Sequence, residues 1–304
     1  MSDHSHNHSH PHPDLKGKKL LLSIFLNIAI TVAQVIGGLI SGSLSLLSDA
    51  LHNFSDVLSL IVSYIADLYS KKEASPERTF GYKRAEIIAA FVNALSLIIV
   101  AIYLVYEAIH RFFDPQEIDS SIVIWLALLG ILANGFSVLL LHKDSKSNMN
   151  MRSAYLHLMT DMAASVAVLI GGLLMKYLGW FWVDSVLTVL IAIYLVIMGY
   201  KLLKESFKVL MLFTPENLDV SLVSSKIQEI TTVRNVHHMH IWQLNEKEIH
   251  LEAHVEFSED VTISQFDKIS EEIEEVLYHE FKINHVTLQP EYDKDDPKDI
   301  IVQD

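Results

Sequence analysis

The chain has 304 residues, 51% of them hydrophobic, no cysteine and a formal net charge of −14. Without cysteine there are no disulfides and no thiolate ligands, so any metal site must be built from His, Asp and Glu. The acidic excess argues against a nucleic-acid partner, because phosphate binding needs the opposite sign.

The first 17 residues form a polar, His-rich segment, with His4, His6, His8, His10 and His12 alternating with Ser, Asn and Pro. It has no apolar content and cannot fold alone; it is either a flexible metal collector or a dispensable tail. No cleavable signal peptide is expected, because the first apolar run is too long for one.

From there the apolar residues gather into runs. A hydrocarbon core needs roughly 20 apolar residues of helix to cross it. Six stretches qualify, near 20–41, 44–69, 85–110, 120–142, 153–177 and 180–201. Residues 18–212 are therefore expected to form a six-helix transmembrane domain embedded in a lipid bilayer. Lys and Arg accumulate on the cytoplasmic side of short loops. Lys16, Lys18 and Lys19, then Lys71, Lys72, Arg78, Lys83 and Arg84, then Lys143, Lys146 and Arg152, and last Lys201, Lys204 and Lys208 all fall on one side. Only Arg111 and Lys176 fall on the other. Both termini are expected to be cytoplasmic.

Within the spans, ionisable groups concentrate on the second and fifth helices: Asp49, His52, Asp56 and Asp67 on one, His157 and Asp161 on the other. Each costs at least about 2.5–3.5 kcal/mol at the bilayer centre, so several together demand a reason. His52 and Asp56 are four residues apart, as are His157 and Asp161, so each pair shares one helix face. Two such faces together offer two imidazoles and two carboxylates, the ligand count and chemistry of a tetrahedral Zn²⁺ site. Asp49, one turn before His52, either orients this site or carries a proton. Asp67 lies near the cytoplasmic end and is expected to face water. Asn27, Gln34, Asn93, Asn134 and Asp184 are expected to form hydrogen bonds between helices.

Residues 213–304 hold 21 of the 37 acidic and 7 of the 23 basic residues, a difference equal to the whole net charge. This segment should be water-soluble. A helix is expected near 216–231 with Thr214-Pro215 at its start, followed by alternating strands near 235–243 and 248–257. A second helix opens on the capping box of Thr262 and Gln265, and a last strand lies near 284–289. The order α-β-β-α-β suggests a small α/β domain of ferredoxin-like character over 213–290. The acidic tail, 291–304, is expected to be disordered. By strict alternation, His238, His240 and Trp242 share one face of the first strand and His237 the other. His250 and His254 share the polar face of the second strand with Glu252 and Glu256.

Four runs together resemble the cation diffusion facilitator family: Ser48–Asp56, Phe80–Glu86, the His157-x-x-x-Asp161 pair and the His237–Trp242 segment. The resemblance covers about residues 18–290 and is closest to the zinc (cobalt, cadmium) exporter branch. It implies a homodimer, alternating access and metal export in exchange for protons, with His52, Asp56, His157 and Asp161 at the transport site. His at the first of these positions resembles the zinc-selective members. The resemblance also implies a regulatory Zn²⁺ site in the cytoplasmic domain at His237, His254 and His285, with His238 or His240 as substitutes. No organic cofactor is implied. Two departures stand out: in the loop after the second span, Ser75–Thr79 offers only Glu77 as a further ligand, and Lys143–Asn150 contains no His. A bacterial inner membrane is the expected location.

An enzyme is the main alternative, since helix-borne His and Asp could hold a catalytic metal with an open position. Against it, the sequence has no H-E-x-x-H and no G-x-S-x-G. A metal-gated channel needs many weak sites along a pore, whereas four strong ligands here fall at one level.

Overall fold

The structure is a computed structural model that describes residues 14–70, 74–142, 149–245 and 247–302. The amino-terminal histidines, Lys71, Lys72, Lys143, Lys146 and the side chain of Asp67 lie outside the described residues and side chains.

Six long helices come first: α1 (Asp14–Ser41), α2 (Leu44–Ser70), α3 (Ala85–Phe113), α4 (Ser120–Leu141), α5 (Met149–Leu178) and α6 (Trp182–Leu210). The first begins at Asp14, three residues before the expected end of the polar tail at residue 17. Among the described residues, five are long and apolar enough to cross a membrane, in α1, α3, α4, α5 and α6. The remaining helix, α2, is the one that carries Asp49, His52 and Asp56. Large apolar side chains such as Leu39, Ile99, Tyr106, Leu139, Tyr177 and Ile197 are exposed along these helices. In water that surface would aggregate; in lipid it is solvated. The chain divides into two compact units, residues 1–61 with 93–200 and residues 62–92 with 201–304.

Polar residues in the helical unit converge on α2. From α1, Gln34 Nε2 donates to Asp49 Oδ2 (2.8 Å), and its Oε1 accepts from Asn53 Nδ2 (3.2 Å). From α3, Asn93 Nδ2 donates to Ser55 Oγ (2.9 Å). From α6, Asp184 caps the start of α2, accepting from the Leu44 and Ser45 amides (2.8 and 3.3 Å) and from the Ser43 hydroxyl (2.6 Å). Negative charge at a helix start satisfies amides that have no partner within the helix. Gln34, Asn93 and Asp184 thus make the interhelical bonds expected of them, while Asn27, among the described residues, accepts from Thr31 on its own helix. Helix α4 packs on α1 and α5. Gly130 permits this approach, since a Cβ there would meet Ser165 Oγ at 2.9 Å.

The carboxy-terminal domain has the order α7 (Val220–Gln228), β1 (Val233–Gln243), β2 (Ile249–Phe257), α8 (Ile263–Phe281) and β3 (His285–Glu291). The first helix is shorter than expected. Pro215 starts a turn whose carbonyl accepts from Leu218, and Asp219 is the true cap, accepting from the Ser221 amide at 2.9 Å. The capping box at α8 forms as expected, with Thr262 N–H donating to Gln265 Oε1 at 2.8 Å. The three strands make a mixed sheet in the order β1-β2-β3, with β1 antiparallel and β3 parallel to β2. Val223, Ile227, Val236, Ile241, Leu251, Val255, Ile273 and Leu277 form its buried core.

Two expectations fail here. Strict alternation in β1 is broken by a bulge at His238, where φ is +48° and the register shifts between His237 and His240. The extra residue returns His237 to the face that carries His240 and Trp242. Nor is the carboxy-terminal tail disordered: the His238 and Met239 amides donate to Asp299 O (3.1 Å) and Ile300 O (2.8 Å), and Ile300 packs on the core. The tail carbonyls pair with amides at the bulge, an outcome that an acidic composition could not disclose.

Candidate metal centres

In the helical unit, His52, Asp56, His157 and Asp161 come together from α2 and α5. His52 Nε2 lies 3.7 Å from Asp56 Oδ2 and 3.4 Å from Asp161 Oδ1. His157 Nε2 lies 3.2 Å from Asp56 Oδ2 and 3.5 Å from Asp161 Oδ2. Each imidazole nitrogen thus faces both carboxylates. A tetrahedral Zn²⁺ with bonds of about 2.0–2.1 Å has ligand-to-ligand edges of about 3.3–3.4 Å. All four separations cluster around that value. His52 Nε2, Asp56 Oδ2 and both Asp161 oxygens are buried without a hydrogen-bond partner among the described residues. Such atoms are costly unless something else, here a cation, completes them.

Asp49 is wholly buried beside this group. Its Oδ2 accepts from Gln34 and, at 3.4 Å, from Ser165 Oγ on α5, so it links α1, α2 and α5. Tyr194 on α6 was not singled out by the sequence; its ring meets His52 edge-on at 5.7 Å. Nothing in an apolar span marks one tyrosine as the neighbour of a ligand.

In the carboxy-terminal domain, the structure brings His237 and His254 together but not His285. His237↔His254 is a register pair between β1 and β2. The ligand atoms closing the group come from residues that sequence reading passed over, Glu291 at the end of β3 and Asp296 in the tail. His237 Nε2 lies 3.1 Å from Glu291 Oε2 and 3.5 Å from Asp296 Oδ2. His254 Nδ1 lies 3.0 Å from Glu291 Oε1. His237 is wholly buried, and neither of its ring nitrogens has a hydrogen-bond partner among the described residues. Burial holds the His254 imidazole below its ordinary pKa, against the pull of Glu291. Burial pushes the Glu291 carboxyl up, but hydrogen bonds from Lys294 and Gln289 outweigh it, leaving that carboxyl below its usual range. His238 stands beside the pair, its ring 4.6 Å from His254 and 5.2 Å from His240.

His285 belongs to a second cluster instead. It is the register partner of His250, with ring centroids 4.4 Å apart, and Trp242 stacks on His250 at 5.4 Å. Four residues of β2 separate His250 from His254, or about 13 Å along a strand. Burial, then the neighbouring His285, lowers the His250 pKa.

Comparison with known proteins accords with this geometry. The family model described as the cation efflux transmembrane domain matches residues 20–211, and that of the cation efflux protein cytoplasmic domain matches residues 215–293. The chain is 37% identical over 276 residues to a cadmium, cobalt and zinc/H⁺-K⁺ antiporter of Bacillus subtilis, covering 90% of this chain and 88% of that one. It is 34% identical over 291 residues to the zinc transporter ZitB of Escherichia coli, covering 95% and 92%. It is 36% identical over 272 residues to the metal cation efflux system protein CzcD of Cupriavidus metallidurans, covering 90% and 85%. The chain belongs to the cation efflux family, the cation diffusion facilitators, and is an integral membrane transporter of that family.

Proposed function

We propose that this protein exports Zn²⁺, with Co²⁺ and Cd²⁺ as further cargo, from the cytosol in exchange for protons. The observation that carries the reading is the set of four nitrogen-to-oxygen separations, 3.2–3.7 Å, among His52, Asp56, His157 and Asp161. Two ligands come from each of two helices, so a small relative movement of α2 and α5 would make or break the site. That is what alternating access requires of a carrier. Asp49 supports the site from behind through Gln34 and Ser165. Relatives named for zinc, cadmium and cobalt transport support the cargo, and two are named as zinc/H⁺-K⁺ antiporters.

The finer architecture follows the same reading. All six helices span the membrane, α2 included, because its ionisable residues meet partners from α1 and α5 instead of lipid. Both termini are cytoplasmic, and the membrane is a bacterial inner membrane. Residues 1–17 are a cytoplasmic tail and 18–212 the membrane domain. The ferredoxin-like domain extends past residue 290 to include the tail segment whose carbonyls accept from β1. It serves as a regulatory metal domain through His237, His254 and Glu291. Two copies associate through it, as the family named for dimers that residues 215–293 match suggests.

Zinc uptake by proteoliposomes is the test. Saturable, gradient-coupled accumulation supports the carrier. Ohmic conductance would point to a channel, and absence of metal flux under every gradient would overturn the reading.

A further inference from the structure

The tail does more than cover the sheet. Beyond Glu291 the chain turns at Asp293, where φ is +51°, and comes back along β1. Its path is fixed by the two amide bonds from the bulge and by Asn235 Nδ2, which donates to Lys298 O at 3.5 Å. That path delivers three charged side chains to the buried histidines. Asp296 comes within 3.5 Å of His237 Nε2. Lys294 Nζ lies 2.5 Å from Glu291 Oε1 and 3.3 Å from Asp296 Oδ2. Lys298 Nζ pairs with Asp296 Oδ1, and lies 3.5 Å from Glu291 Oε2 and 3.8 Å from Glu256 Oε1.

We propose that the tail is a strap locked by interchangeable cations: Asp296 is the fourth ligand of a divalent-metal site with His237, His254 and Glu291, and the ammonium groups of Lys294 and Lys298 hold the two carboxylates until a metal displaces them. This rests on the reading of the domain as a metal site and adds how occupancy is coupled to the tail. The exchange is balanced in charge, because one divalent ion enters as two ammonium groups leave. Both lysines stay protonated; the side chains are 46% and 31% exposed, and Lys298 Nζ, which is itself buried, reaches water once its flexible stem swings out. His237 has no such freedom. Wholly buried, with its nitrogens unpartnered among the described residues and Nε2 facing both carboxylates, it is placed to accept a metal bond that no lysine can supply.

The consequence is directional. The lysines compete with the metal, so removing them should tighten binding, whereas a structural clamp would weaken it when cut. Removing Asp296 should loosen binding. Without lysines, Glu291 and Asp296 repel each other, and the tail should dock only when a metal bridges them.

The experiment uses the full chain in detergent with Asp161→Asn, which removes the membrane ligand, and with His237→Ala as the control that identifies zinc bound at this site. Calorimetric titration with Zn²⁺ should show Lys294→Met/Lys298→Met tightening binding by about three- to tenfold, the worth of partly exposed ion pairs. Asp296→Asn should weaken it by about tenfold or more. Hydrogen exchange at the His238 and Met239 amides should be slow in the parent with or without zinc, and slow in the double lysine variant only with zinc. If zinc binds but the lysine variant binds it no more tightly, or its exchange ignores zinc, the strap is wrong and the metal site stands. If no zinc is lost on His237→Ala, the regulatory site and the strap both fall, while zinc flux through the membrane site remains a separate measurement.

Discussion

His157 Nε2 on α5 lies 3.2 Å from Asp56 Oδ2 on α2, closer than it lies to Asp161, its neighbour one turn along the same helix. The site is therefore crossed: each helix lends its imidazole to the other helix's carboxylate. Asp161 is the hub, fully buried and within 3.5 Å of both imidazoles. Asp161→Ala should lower zinc flux by about 100-fold or more, since loss of one charged ligand leaves the ion short of both charge and coordination. Protein yield and dimer content should stay near normal, because a buried carboxylate with no hydrogen-bond partner among the described residues contributes little to folding. Zinc flux within a factor of two of the parent would remove Asp161 from the site.

Gln34 offers a milder perturbation. It holds Asp49 and Asn53 at once, so Gln34→Leu deprives two buried groups of a partner. The expected cost is about 1–3 kcal/mol of stability, with transport slowed several-fold and zinc affinity nearly unchanged. Equilibrium zinc binding measured beside initial flux separates these effects. A large loss of affinity would mean that Asp49 is itself a ligand.

The pairing of charged helix faces was legible in the sequence because an ionisable residue in lipid is too expensive to be incidental and because i, i+4 spacing fixes a face. The carboxy-terminal site was only half legible. His237 and His254 are strand residues, and strict alternation separates His237 from the others; a single bulge at His238 reverses that. Glu291 and Asp296 look like members of an acidic, solvated tail, and nothing local reveals that Asp299 and Ile300 carbonyls will find the bulge amides. His285 is the position the family resemblance implies as a ligand, yet parallel register places it against His250. Long-range register, not residue chemistry, is what the sequence withheld.

The proposed dimer would have its own electrostatic signature. The net charge of −14 resides in the carboxy-terminal segment, so two such domains repel each other at low ionic strength. Light scattering in detergent should find a dimer whose dissociation increases as salt is lowered and decreases with zinc. A monomer under every metal and salt condition would contradict the assembly.

His250 should report pH through Trp242, which stacks on it. Its pKa is lowered by burial, so the folded domain prefers the neutral imidazole and the unfolded chain binds the extra proton. The stabilisation is fully present above the ordinary imidazole value of about 6.5 and is lost as pH falls through the lowered one. Tryptophan emission of the full chain should therefore drop on acidification below about pH 6.5, as a protonated imidazole quenches the stacked indole. His250→Gln should flatten the drop, and an unchanged pH profile in that variant would show that His250 is not the titrating group.

Proton coupling follows from the ligands of the membrane site. A His must be neutral and an Asp ionised to bind zinc, so loading the site expels whatever protons it held. An imidazole nitrogen holds either a proton or a metal and not both, which would let His52 and His157 exchange a proton for metal. In the proposed exchange, a site facing an acidic exterior would take up protons and release zinc, and one facing the cytosol would lose them and recover affinity. Returning with protons also spares Asp56 and Asp161 from crossing a low-dielectric region as unpaired anions, which is costly. The measurement is zinc flux and internal pH recorded together in liposomes under opposed pH gradients. Reversing the gradient should reverse its effect on zinc movement, and His157→Ala should reduce proton and zinc movement in parallel. If zinc moves at one rate whatever the gradient, with no accompanying proton flux, the carrier is a uniporter and the exchange mechanism fails.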